Sequence, residues 1–247
     1  MSRRHLWQRR FRHPIRRVLL DPDVRYGLIE RVVKAFLPEV VLGERKKAWN
    51  ADEEFLRQVE RSGAVSTRQL ERYWVVCQYV KQSLAAEGLT AECGVYLGVT
   101  SWFICENSDG RQHFGFDSFS GLSKPGSHDG DYWTLGDLSV AASIATGRLA
   151  RFPNATLLDG WIPDRFAEVS DQSFSFVHID VDLYRPTLDS LEFFYPRLVP
   201  GGVIVLDDYG FVTCPGARKA ADGYMASRQE MILHLPTGQG VIVRQPA

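Results

Sequence analysis

The sequence predicts an α/β fold in which a mostly parallel sheet carries helices on both faces. Three observations predict it. From residue 90 onward, short apolar runs alternate with segments of helical periodicity, the pattern of strand–helix–strand units. Glycines or acids stand at the carboxyl ends of these runs, where such sheets bind their ligands. Two last apolar runs flank Pro236, Thr237 and Gly238, so a terminal hairpin adds an antiparallel edge.

The elements follow in chain order. Residues 1–65 read as a basic, helical N-terminal extension, and residues 66–247 as the main domain. The extension holds Arg3, Arg4, Arg9, Arg10, Arg12, Arg16 and Arg17 before the first acid, then Val32, Val33, Phe36 and Leu37, then a charged stretch from Glu44 to Glu60. The whole chain has a net charge of −1. The balance is therefore a basic tail on an acidic body, which suits an anionic partner or surface without naming one. Residues 66–86 form an amphipathic helix with Leu70, Tyr73, Trp74, Cys77, Lys81 and Leu84 on one face. Ser66 is its N-cap, and Gly88 follows its end. Strands are expected near 91–95, 112–117, 155–158, 173–180 and 202–207. Helices are expected near 100–107, 138–151, 187–195 and 214–227. The terminal strands fall near 231–235 and 240–244.

Cys77, Cys93, Cys105 and Cys214 form no CxxC and no metal-ligand spacing, which points to a reduced compartment. No apolar run approaches the ~20 residues of a membrane span. The N-terminus has charge but lacks the apolar stretch of a secretory signal. A cytoplasmic protein without a transmembrane segment is expected.

Three strand-end motifs carry chemistry. Glu92-Cys93-Gly94-Val95-Tyr96-Leu97-Gly98 leads into Thr100 and Ser101. Glycines there allow a tight turn and close approach of backbone to a ligand. Tyr96 occupies the place of the second glycine of GxGxxG, which disfavours a pyrophosphate-binding dinucleotide site and an NAD oxidoreductase. A smaller ligand, such as the methionine end of S-adenosylmethionine (SAM), fits better. By itself the motif is also compatible with an ordinary strand–helix turn. Asp117, in Phe116-Asp117-Ser118-Phe119, ends the second strand roughly 25 residues beyond Glu92, where an acid can accept hydrogen bonds from ribose hydroxyls. The alternative is a loop aspartate that caps the next segment.

The third motif is double. His178-Ile179-Asp180-Val181-Asp182 ends the fourth strand, and Leu206-Asp207-Asp208 ends the fifth. Adjacent parallel strands bring these acids together, where they repel one another unless a cation binds. Oxygen donors suit a hard ion, Mg²⁺, Ca²⁺ or Mn²⁺, rather than a soft metal. Two surface turns would also explain isolated aspartates, but not their pairing across two strands. Pro200-Gly201-Gly202 reads as a helix stop and turn. Asp159-Gly160-Trp161 follows the third strand, and Trp161 is a candidate either for stacking on adenine or for core packing. His178 receives no role.

Taken together, these motifs resemble the macrocin O-methyltransferase family over roughly residues 65–245. The resemblance rests on Glu92-Cys93-Gly94-Val95, Phe116-Asp117-Ser118-Phe119-Ser120-Gly121-Leu122, Gly160-Trp161, His178-Ile179-Asp180-Val181-Asp182-Leu183-Tyr184, Tyr195 through Gly202, Asp207-Asp208-Tyr209 and Cys214-Pro215-Gly216. It implies a class I, Rossmann-like SAM-dependent methyltransferase fold. It also implies a divalent cation on Asp180, Asp207 and Asp208, with Asp182 as general base. Glu92, Gly94, Tyr96, Gly98, Ser101, Asp117, Ser118, Gly160, Trp161 and Asp180 are the expected SAM-binding residues. The implied acceptor is a sugar hydroxyl of a glycosylated natural product, the implied assembly a homo-oligomer, and nucleic acid is not an expected partner. Val181 departs from the family pattern, where a glycine often separates the two aspartates. A catechol acceptor would use the same chemistry. A catalytically silent SAM-binding assembly protein is the other alternative, and the intact set of four aspartates argues against it.

Overall fold

The computed structural model describes residues 21–38, 40, 42–43, 47–64 and 69–246. The chain divides into two compact units, one through Asp52 and one from Glu53 onward. Within the first, helix α1 (Pro22–Phe36) opens with Pro22 at its first turn. The Asp21 carboxylate caps it by accepting the Asp23 amide at 2.8 Å. The arginine-rich residues 1–20, and the expected N-cap Ser66, lie outside the described residues.

The second unit begins earlier than the expected boundary at 65/66, because helix α2 (Glu53–Ser62) packs with the body. Phe55 meets Trp74 edge-on at 5.2 Å and Phe103 at 5.8 Å. Gln58 and Asn107 exchange amide hydrogen bonds below them, at 3.0 and 3.3 Å. Helix α3 (Leu70–Ser83) follows. Its buried stripe runs through Tyr73, Val76, Cys77, Val80 and Ser83, whereas Lys81 is exposed. The stripe is rotated from the expected one because Val76 and Val80 seat on the sheet against Phe176, Val203 and Val205.

The sheet has the order β3-β2-β1-β4-β5-β7-β6. Its strands are β1 (Leu89–Cys93), β2 (His113–Asp117), β3 (Ala155–Asp159), β4 (Phe174–Ile179), β5 (Leu198–Leu206), β6 (Leu233–His234) and β7 (Gly240–Val243). The first five run parallel, and β7 pairs antiparallel with both β5 and β6. Helices α4 (Val99–Asn107), α5 (Ala142–Leu149), α6 (Tyr184–Phe194) and α7 (Pro215–Met225) connect or follow the strands. Both faces of the sheet are covered. Along β5, Val203 and Val205 enter one apolar cluster while Ile204 and Leu206 enter the other, the two-residue alternation of a doubly buried strand.

Several boundaries differ from expectation. Strand β1 starts and stops two residues early, so Gly94 already belongs to the turn. Helix α5 is shorter than 138–151, because Leu138 has φ +64° and Ala141, its N-cap, is extended. Helix α6 starts at Tyr184 rather than 187. Strand β5 starts at Leu198, so Pro200-Gly201-Gly202 lies within the strand. The β4 register slips there, and Gly201 takes φ +80° to absorb the irregularity. Only two residues of the expected strand 231–235 pair. Among the described residues, no helix is long and apolar enough to cross a membrane.

Candidate active site

Strands β1 and β4 are neighbours, and the connections from their carboxyl ends depart in opposite directions, β1 toward β2 and β4 toward β5. A crevice opens at such a switch point. Backbone hydrogen bonds lace the strand ends together below it. Gly94 N donates to Phe116 O, Asp180 N to Cys93 O, and Asp207 N to Ile179 O, each at 2.9 Å. The approach of the β1 and β4 turns is close enough that a Cβ on Gly94 would sit 1.7 Å from the Asp180 carbonyl oxygen. Gly94 also takes φ +84°, so glycine is required there on both counts.

A cleft of about 600 Å³ fills the crevice. Of the expected cofactor residues, Gly94, Tyr96, Asp117, Ser118, Gly160 and Trp161 line it, together with Asp180. Trp161 is 44% exposed, so it does not pack the core. The Asp117 carboxylate grips the neighbouring loops: Oδ2 accepts the amides of Val95 at 2.8 Å and Tyr96 at 2.7 Å, and Oδ1 accepts that of Phe119 at 2.7 Å. Asp117 therefore holds the β1 turn in shape as well as facing the cleft.

Three expected cofactor residues lie behind the cleft wall. Gly98 packs against Ala145 and is the left-handed N-cap of α4. Glu92 and Ser101 are fully buried and hydrogen-bonded to each other. The remaining Glu92 oxygen lies 3.1 Å from His178 Nδ1, and His178 Nε2 lies 3.4 Å from Asp207 Oδ1.

The four acids separate into two groups. His178, Asp180 and Asp207 can present ligand atoms within 4.8 Å of one another, as can Asp182, Asp208 and Cys214. β4 ends at Ile179 and Asp182 has φ +58°, so Asp180 and Asp182 do not follow the regular alternation expected of a strand. Aspartate tolerates this left-handed conformation better than most residues. The turn is held by the Asp182 amide, which donates to Asp208 Oδ2 at 2.8 Å. Helix α6 then departs from Leu183.

Charge is crowded here. Burial, then the charges of Asp207 and Asp208, push Asp180 well above the usual carboxylate range. Burial, then Asp182 and Asp207, do the same to Asp208. Asp182 is pushed up to about 7 by burial and by Asp180, against a hydrogen bond from the Cys214 thiol. Asp207 alone is held below the usual range. Burial opposes this, but hydrogen bonding from His178 and the nearby Arg72 guanidinium outweigh it. Burial would keep His178 neutral, yet its bonds to Asp207 and Glu92 lift it to about 10. The expected ligand set Asp180, Asp207 and Asp208 is thus divided between the two groups; Asp180 and Asp208 carry a repulsion that a bound cation would relieve, and their oxygen donors suit a hard divalent ion.

Sequence reasoning passed over four residues. Arg72, from the first turn of α3, pairs with Asp207 Oδ2 and lines the cleft. Gln239 donates to Asp207 Oδ1 at 2.8 Å. The Cys214 thiol contacts Asp182 Oδ1 at 3.4 Å and receives the Trp133 indole N–H at 3.4 Å, which links the Ser118–Gly136 loop to the acid cluster. The fourth is His178. On β4 it is the register partner of Glu92 and Val205, and its two-residue offset from Asp180 is no signal because the strand ends at Ile179.

The architecture is that of class I SAM-dependent methyltransferases. It matches the calicheamicin methyltransferase CalS11 with a TM-score of 0.62 at 18% identity, covering 84% of this chain and 96% of that one. The macrocin-O-methyltransferase (TylF) family model matches residues 63–233, and the chain belongs to that family. A Streptomyces olivaceus protein, 8-demethyl-8-(2,3-dimethoxy-α-L-rhamnosyl)-tetracenomycin-C 4′-O-methyltransferase, is 29% identical over 57% of this chain. Demethyldecarbamoylnovobiocin O-methyltransferase of Streptomyces niveus is 32% identical over 44% of it. The matched stretches span 61% and 45% of those two proteins.

Proposed function

We propose that this protein is a SAM-dependent O-methyltransferase that methylates a sugar hydroxyl of a glycosylated natural product or related saccharide. One observation carries the reading. The turn at Gly94, the acid Asp117 and the strand-end aspartates Asp180, Asp182 and Asp208 face a single cleft large enough for a cofactor and part of an acceptor, and Asp207 is paired with Arg72 of the same cleft wall. The family and the rhamnosyl-bearing substrate named for the Streptomyces olivaceus relative support the sugar acceptor.

In this reading Asp180, Asp207 and Asp208 hold Mg²⁺ or Mn²⁺. When bound, such a cation lowers the pKa of a coordinated hydroxyl and stabilises developing alkoxide charge, while SAM supplies the methyl group. The chain's own residues do the rest. Gly94 and Tyr96 shape the methionine end of the cofactor site, Asp117 and Ser118 its ribose end, and Trp161 with Gly160 its adenine end. Asp182, with an affinity for protons matched to neutral pH, removes the acceptor proton. Trp133 and its loop cover the acceptor and keep its hydroxyl aligned, and much of the rate arises from that alignment.

Calorimetry with SAM, S-adenosylhomocysteine and NAD, followed by SAM-consumption assays on deoxysugar glycosides with and without Mg²⁺, tests the reading. SAM binding and Mg²⁺-dependent turnover of at least one glycoside are expected. NAD binding without SAM binding would overturn it. SAM binding without transfer to any glycoside, or turnover of catechols alone, would overturn the sugar acceptor.

A further inference from the structure

We propose that Glu92 and His178 are positioning residues for Asp207, forming a buried carboxylate–imidazole–carboxylate chain that fixes the Asp207 side chain for the cation. The inference rests on the reading of Asp207 as a cation ligand. It replaces the cofactor-binding role that the family resemblance implies for Glu92.

Sheet geometry sets up the chain. Glu92 on β1 and His178 on β4 are register partners, and His178 is in turn the partner of Val205 on β5. Register partners present their side chains on the same sheet face, and so does a residue two places further along a strand. Asp207, two residues beyond Val205, therefore continues the row Glu92–His178 toward the strand end. The side chains complete it. Glu92 Oε1 lies 3.1 Å from His178 Nδ1, and His178 Nε2 lies 3.4 Å from Asp207 Oδ1. Glu92 is 0% exposed and His178 is 1% exposed, so neither touches the cleft.

The chain is anchored behind Glu92. Ser101 Oγ donates to Glu92 Oε2, His113 Nε2 lies 3.2 Å from Ser101 Oγ, and Thr90 Oγ1 lies 3.1 Å from His113 Nδ1. Every link is buried, so water does not compete for these bonds. At the near end, His178 and Gln239 both engage Oδ1 of Asp207. Oδ2 pairs with the Arg72 guanidinium, so in this reading the cation shares that oxygen with Arg72. A carboxylate fixed through one oxygen offers the other in a single direction, as outer partners do for ligands in metal sites.

The test measures Mn²⁺ binding by electron paramagnetic resonance and SAM binding by calorimetry for the wild type, Glu92→Gln and His178→Gln. Both substitutions should weaken Mn²⁺ by ~10–100-fold, the usual effect of losing such an outer partner. SAM affinity should stay within about threefold, which also reports that the fold is intact. Glu92→Gln keeps the shape of the side chain and an acceptor, so it carries the test if His178→Gln does not fold. Unchanged Mn²⁺ affinity with weakened SAM binding in Glu92→Gln would overturn the proposal and return Glu92 to the cofactor. Wild-type protein that binds no Mn²⁺ would overturn the cation reading itself, a result distinct from variants that bind Mn²⁺ as well as the wild type does.

Discussion

The Asp182 amide donates to Asp208 Oδ2 at 2.8 Å, so the residue assigned to proton removal is held by a residue assigned to the cation. The bond ties the turn after β4 to the end of β5. It also separates two roles that adjacent numbering would blur, because the Asp182 backbone is fixed while its carboxylate, among the described residues, hydrogen-bonds the Cys214 thiol at 3.4 Å.

Asp182→Asn is expected to lower kcat by ~10²–10⁴-fold, the range for loss of a general base. Asparagine tolerates the left-handed conformation of position 182, so the turn persists and SAM affinity should change less than about threefold. Steady-state kinetics with calorimetry on the same preparation checks this. Near-wild-type turnover would assign the proton to another group.

Chelation with EDTA followed by dialysis should abolish turnover, and Mg²⁺ or Mn²⁺ should restore it. Asp180→Asn should raise the Mg²⁺ concentration needed for half-maximal turnover, with partial recovery at excess metal. Removing one of three crowded carboxylates weakens the cation more than the fold, because the repulsion among them also falls. Full activity in EDTA would exclude the cation.

Arg111 is expected to matter for stability and not for binding. Its guanidinium donates to the carbonyls of Ala86 at 2.7 Å and Leu84 at 2.9 Å, and to Ser175 Oγ at 2.7 Å, closing the exit of α3 against β4. Arg111→Met strands these acceptors and should cost about 2–3 kcal/mol. At roughly 2–4 °C per kcal/mol, a thermal melt should move down by about 5–10 °C. SAM affinity should not change, since Arg111 precedes β2 and lies at the opposite end of the strands from the cleft.

Glu230 gives a pH-dependent stability term. Burial pushes its carboxyl up, but hydrogen bonds from Tyr195 and the Gln245 amide, with Arg244 alongside, hold it below the usual range. A group depressed in the folded state stabilises it above the unfolded value, about 4.3 for glutamate, and the gain disappears as pH falls through the folded value. Glu230→Gln should therefore destabilise by about 1–3 kcal/mol near neutrality. The gap to wild type should close below pH ~4, as read by denaturant midpoints across pH. A gap independent of pH would show that packing, not charge, carries the effect.

The sheet and its acidic rim were legible because both are written locally. Apolar runs mark the strands, and Asp117, Asp180, Asp207 and Asp208 each follow one directly. Relationships between distant segments were not. Arg72 reaches an acid 135 positions away, and nothing near it in sequence announces that partner. The family resemblance implies a cofactor role for Glu92, yet on β1 its side chain faces His178, 86 positions on. The stripe of α3 was read from spacing alone, and packing against β5 selected Val76 and Val80 over Lys81. Pro200-Gly201-Gly202 has the residues of a turn, and backbone pairing of Gly201 and Gly202 with Arg244, just past β7, keeps it in the strand.

The contact of Gly94 with the Asp180 carbonyl gives the two halves of the site a shared inheritance. A change at position 94 displaces the backbone that carries Asp180, so in the proposed reading an attempt to retune the methionine end of the cofactor site would alter cation handling at the same time. Laboratory evolution directed at either trait will thus find this position closed, and will find its latitude at Tyr96, Ser118 and Trp161, whose side chains border the cleft without bridging the two turns.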